Sequence, residues 1–119
     1  MGQFSVRVTI APPGDPARVA DVELWVDAGA TLSWVPREVI ERLYVPRLPR
    51  RPFLLAGGRT VHRDTAGALI RLDRSEAIVT LVVAEPGDSH LIGATTLETL
   101  GFAVDPINRR SVPQTLLAM

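Results

Sequence analysis

The sequence predicts a mostly-β fold, a closed barrel of short strands carrying one or two short helices. Three observations carry that prediction. Apolar and polar residues alternate in several short runs, Gly and Pro clusters separate those runs, and only two stretches carry helix-start signals. A single domain, residues 1–119, accounts for the whole sequence, because a second core is hard to build at this length.

Taken in order, Phe4, Val6, Val8 and Ile10 alternate with Ser5, Arg7 and Thr9, the period of a half-buried strand. Residues 11–16, with three prolines and a glycine, cannot extend it. A second strand alternates through Ala20, Val22, Leu24 and Val26 and runs directly into Asp27. Pro36 suits the first position of a helix, whose apolar face is Val35, Val39, Ile40 and Leu43 and whose Glu38 can pair with Arg42. Pro46, Pro49 and Pro52, interleaved with Arg47, Arg50 and Arg51, predict an extended, solvated connection rather than an RNA-binding arm. Gly57-Gly58 marks a hairpin tip between 53–55 and 60–62. Strands follow at about 66–72 and 76–84, joined by a turn at 73–75. The run from Ile78 to Ala84 is apolar on both faces apart from Thr80, as suits a strand inside the sheet system. After a turn at 85–88, Thr95-Thr96-Leu97-Glu98 matches a capping box and Gly101 a helix stop. A last strand at 102–104 turns at 105–108 towards Ser111 and Val112.

Composition narrows the function. Thirteen basic residues, all arginine, balance thirteen acidic ones, so no net field draws the molecule to nucleic acid or to an anionic membrane. There is no lysine for Schiff-base chemistry, and no cysteine for a disulfide, a thiol nucleophile or a thiolate metal site. The first residues carry neither a basic nor an apolar leader pattern, and no apolar run reaches membrane-spanning length. The expectation is a soluble, cytoplasmic protein.

The strongest chemical signal is Val26-Asp27-Ala28-Gly29-Ala30-Thr31, in which a strand ends at a carboxylate and a glycine permits a tight turn. Asp followed two places on by Gly, with a small residue between, arises by chance in about one chain in ten of this length. Its context is more specific. A glycine hairpin, Ala56-Gly57-Gly58-Arg59, lies downstream, and beyond it Leu91-Ile92-Gly93-Ala94 precedes the second helix. A single carboxylate is a poor catalyst of amide hydrolysis. Two held together share a proton, so that one can activate a water while the other protonates the carbonyl.

In that order of motifs the chain resembles the retropepsin-like aspartic proteases, in particular their small cellular and bacterial branch, from about Phe4 to Pro113. The resemblance implies one half of a pepsin-type bilobal site. It implies a homodimer with Asp27 of each subunit as the catalytic dyad and Ala28, Gly29, Ala30 and Thr31 as the active-site loop. Ala56, Gly57, Gly58 and Arg59 become a flap over a peptide or protein substrate, and Leu91, Ile92 and Gly93 brace the loop from below. No metal or organic cofactor is implied. Two features depart from the family. Its triplet normally carries Thr or Ser where Ala28 stands, with a hydroxyl that bonds across the dimer axis. The viral branch's ion pair is also missing, its two places being Thr31 and Ala94. Chain ends in the family often pair across the axis, which implies that the apolar tail, with Leu116 and Leu117, is buried between subunits.

Other constellations are weaker. His62 and His90 have no ligand cluster around them in the sequence, and Ser33, His62 and Asp64 lack a nucleophile-elbow pattern. Gly57-Gly58 lacks the spacing and lysine of a phosphate loop. Trp25 and Trp34, flanking the Asp27 turn, read as packing residues. The rival reading is a protease-shaped binding module with little or no hydrolysis, motivated by Ala28.

Overall fold

A computed structural model describes residues 4–105 and 110–113. Strands β1 (Ser5–Ala11) and β2 (Ala20–Asp27) pair antiparallel, Val8 opposite Val22. They are followed by β3 (Ser33–Pro36), α1 (Arg37–Arg42), β4 (Arg47–Leu54), β5 (Thr60–Leu72), β6 (Ser75–Ala84), β7 (Leu91–Gly93), α2 (Ala94–Thr99), β8 (Phe102–Asp105) and β9 (Arg110–Pro113). The main sheet runs β1-β2-β7-β3-β6-β5-β4, and β1 also pairs with β5. That extra pairing closes six strands into a barrel and leaves β4 outside it, against the first half of β5. The mostly-β barrel with two short helices is as the sequence predicts. No described helix is long and apolar enough to cross a membrane.

Alternation explains the interior. Val8, Ile10, Leu24, Val35, Ile70, Leu81, Val83 and Ile92 point inward and meet Ile40 of α1 and Leu97 of α2 in one core. Trp34, Val82 and Ala84 point the other way and form a second cluster with Val61. This is why residues 81–84 are apolar on both faces. The Asp73-Arg74 turn joins β5 to β6, with Asp73 at φ 56°, a left-handed conformation that aspartate tolerates better than most residues.

Several expectations are corrected. Residues 33–36 are a strand, so Val35 and Pro36 do not belong to the helix. Pro36, at ψ 137°, stands just outside α1, and Val35 is a barrel-core residue. The pair on α1 is Arg37 with Glu41, 3.5 Å apart, rather than Glu38 with Arg42. The proline-rich connection is a strand, β4. It tolerates Pro49 and Pro52 because it lies at the sheet edge and is irregular between Leu48 and Arg51. The two short strands read at 60–62 and 66–72 are one, β5, thirteen residues long. The capping box does not form: Gly93 is the N-cap of α2, and the Thr96 hydroxyl turns inward to Ser33. Ile78 is 64% and Trp25 50% exposed, because both lie on the outer face of the barrel; only Trp34 is a packing residue. Strands β8 and β9 pair with each other. Residues 106–109 and 114–119, including Leu116 and Leu117, lie outside the described residues.

Candidate active site

Asp27 is the last residue of β2, beside Gly93 in the parallel β2–β7 pair. The chain then turns tightly. The Asp27 carbonyl accepts the Ala30 N–H at 3.1 Å, and its Oδ1 accepts the Gly29 N–H at 3.0 Å. The side chain is thereby fixed by its own loop, while Asp27, Ala28 and Gly29 remain exposed. Beyond the turn the chain crosses β7. The Ala94 N–H donates to the Ala30 carbonyl at 2.8 Å and the Thr95 N–H to the Thr31 carbonyl at 3.1 Å. The crossing is close enough that a Cβ on Gly93 would sit 2.5 Å from the Leu32 oxygen and 2.8 Å from that of Ala30. Below it, the Ser33 hydroxyl accepts the Gly93 N–H at 2.9 Å and shares a 2.6 Å hydrogen bond with Thr96, both side chains buried. These buried polar groups at the crossing therefore have partners, which is what burial demands.

The carboxylate opens onto a cleft of about 880 Å³. Its floor includes Asp27, Gly29, Ala30 and Thr31, and one wall is formed by the β4–β5 hairpin, from Arg51 through Ala56 to Arg59. At the hairpin tip the Leu55 N–H donates to the Arg59 carbonyl at 2.8 Å and the Gly58 N–H to the Leu55 carbonyl at 3.0 Å. Gly57 and Gly58 have φ of 98° and 87°, a region that disfavours side chains, so both glycines serve the turn. The hairpin rests on the body through Phe53, whose ring meets Trp34 edge-on at 5.5 Å between centroids.

No protein-family profile and no curated protein sequence matches this chain. Solved structures do. The EIAV protease complexed with the inhibitor HBY-793 superposes with a TM-score of 0.64 at 18% identity, covering 84% of this chain and 89% of that one. A retropepsin-like aspartic protease from Rickettsia conorii gives 0.58 at 17% identity, covering 87% and 77%. The chain has the retropepsin-like fold.

Within that fold, ion pairs secure the remaining wall of the cleft. Arg63 of β5 donates from Nε and Nη2 to the two oxygens of Asp88, at 2.7 and 2.9 Å, and Asp88 also accepts the Glu85 N–H at 2.8 Å. The Arg63 hydrogen bonds hold the Asp88 carboxyl below its ordinary range, against the burial that opposes them. Arg37 does the same to Glu85. Because both folded-state values are lowered, the stabilisation is present above the usual carboxylate range and is lost only as pH falls beneath it. The 85–88 turn therefore keeps its anchors in mild acid.

Of the other residues that the sequence singles out, Leu91 lines the cleft, while Ile92 is buried behind it and Gly93 lies under the loop. Ser33, His62 and Asp64 do not assemble as a triad: Ser33 is committed to Gly93 and Thr96, and Asp64 to Arg47 and Arg50. Among the described residues no group of three or more His, Asp or Glu is placed to hold a metal ion. Sequence reasoning missed Thr96 and the structural role of Ser33, and did not place Arg51 or Asp88 in the cleft. Leu32-Ser33-Trp34-Val35, with its small polar residue among apolar ones, is the signal that could have found Ser33.

Proposed function

We propose that this chain is one half of an aspartic endopeptidase that hydrolyses peptide bonds as a homodimer. The observation that carries the reading is Asp27, held by the Gly29 amide at the floor of a cleft walled by a glycine-tipped hairpin. The likeness to two aspartic proteases in fold supports it. With one such carboxylate per chain, the second is the partner subunit's Asp27, brought close on a two-fold axis. Like charges at that distance leave one carboxyl protonated. The ionised Asp27 takes a proton from a water as its oxygen attacks the peptide carbonyl, and the protonated one donates to the carbonyl oxygen. The tetrahedral intermediate then collapses: the carboxyl that took the water's proton passes it to the nitrogen, the C–N bond breaks, and the other carboxylate recovers its proton from the intermediate's hydroxyl. Gly57 and Gly58 let the hairpin move as a flap, and Ala56 and Arg59 contact the peptide.

The experiment is peptide cleavage between about pH 3 and 7, with and without pepstatin. The expected profile is bell-shaped with its optimum below neutral, since one carboxyl must be protonated and the other ionised. A rate still climbing above about pH 8 would contradict it. Ala28 favours a second reading, a peptide-binding module. It is exposed in the loop where the family places a hydroxyl, and its methyl cannot make that bond across the axis. Peptide binding without hydrolysis at any pH is its signature.

A further inference from the structure

The arginines of the cleft differ from most others in the chain. Across residues 4–102 most guanidinium groups face a carboxylate, as Arg37 faces Glu85 and Arg47 and Arg50 face Asp64. Arg51 and Arg59 have no ion pair among the described residues, and both line the cleft. The cleft's own acids cannot serve them. Asp27 is reserved for chemistry, and Asp88 is taken up by Nε and Nη2 of Arg63 and by the Glu85 amide.

The strand register adds a second observation. Arg51 of β4 stands directly opposite Arg63 of β5. Like charges in directly opposed positions destabilise a sheet unless something neutralises them. Asp88 neutralises Arg63, which leaves Arg51 as the uncompensated member of the pair. Arg59, at the hairpin tip, acts on Asp88 only through its field, the weakest of the influences that lower that carboxyl, while the ion pair of Asp88 is with Arg63. The hairpin wall thus presents two unspent guanidinium groups around an apolar strip of Phe53, Leu54, Leu55 and Trp34.

We propose that Arg51 and Arg59 form a subsite for acidic side chains, so that the preferred substrate is a peptide carrying Asp or Glu beside an apolar residue. The inference rests on the reading of this cleft as a peptide site. Guanidinium suits it, because its fork of donors matches a carboxylate at two points. In a two-fold dimer the subsite occurs twice, once on either side of the central carboxylates.

The test is a peptide series with an apolar pair at its centre, each flanking position being in turn Glu, Gln or Arg. Binding is measured by calorimetry and, separately, kcat/KM by cleavage. We expect Glu over Gln by about 5- to 10-fold at one position or more, between an exposed ion pair and a desolvated one. That ratio should shrink towards one below about pH 4, where the substrate carboxyl is itself protonated. In Arg51→Gln with Arg59→Gln the Glu preference should vanish, and in R51E/R59E it should turn to Arg peptides. Tighter binding of Glu peptides without cleavage would uphold the subsite while refuting the protease. Cleavage indifferent to Glu against Gln, or a cleavage preference for Glu that survives R51E/R59E, would overturn the subsite and leave the protease reading intact, whereas indifferent binding without cleavage would overturn both.

Discussion

Asp27→Asn is expected to lower peptide hydrolysis by at least roughly 10²- to 10⁴-fold, the share that positioned acid–base groups contribute. In the proposed symmetric dyad one residue supplies both the acid and the base, so the substitution would act twice. It should also leave the architecture in place. The Asn side-chain oxygen can accept the same Gly29 N–H that Oδ1 accepts at 3.0 Å, so the turn keeps its internal bond. Replacing two carboxyls that share one proton with neutral amides removes the repulsion that raises one of them, which should leave the dimer as stable as the wild type or slightly more so. Cleavage rates measured beside thermal melts separate the two effects. A folded Asp27→Asn protein that cleaves at the wild-type rate would show that Asp27 is not the catalytic group.

Gly93→Ala is expected to cause the largest loss of stability among single methyl additions at the site. The new Cβ would meet the Leu32 oxygen at 2.5 Å, the Ala30 oxygen at 2.8 Å and the Leu32 carbonyl carbon at 2.8 Å. All three are backbone atoms, so no rotamer change relieves the contact. Either β7 must withdraw from β2, breaking the register of Asp27 with Gly93, or the loop must lift off the Ala94 and Thr95 amides. Overpacking of this kind costs about 1–3 kcal/mol or somewhat more, a fall in Tm of roughly 4–15 °C for a domain of this size. Any activity should fall with it, because both routes displace the carboxylate. Gly14→Ala is the control, since a Cβ there meets nothing within 4 Å. Equal melting temperatures for the two variants would mean that the chain can cross Gly93 with room for a methyl.

The parts of this architecture that are readable from the sequence are those governed by local pattern. The alternation of β1 and β2, the glycine tip at 57–58 and the strand ending at Asp27 follow from side-chain period and backbone freedom alone. What escapes depends on contacts distant in sequence. Strand β3 is four residues long and is defined by its partners, parallel to β6 and antiparallel to β7, so it carries too few residues to show a period. Strand β4 looks like a linker because its prolines and arginines are tolerated only at an edge. Thr95 to Glu98 satisfies a capping pattern, yet Thr96 forms its bond with Ser33, 63 positions away, and no local rule anticipates that. The site divides the same way. Asp27, Gly29 and Gly93 are recoverable from their motifs, whereas Arg51 and Asp88 enter the cleft only because the β4–β5 hairpin and the 85–88 turn wall it in.

The central claim is that the chemistry belongs to two chains and not to one. Its most direct test is the specific activity of the wild-type protein as it is diluted through the dimer dissociation constant, with sedimentation giving the dimer fraction at each concentration. Because each chain supplies a single Asp27, activity per chain should fall in proportion to the dimer fraction and vanish in the monomer. Specific activity that stays constant where sedimentation finds only monomer would contradict the shared dyad.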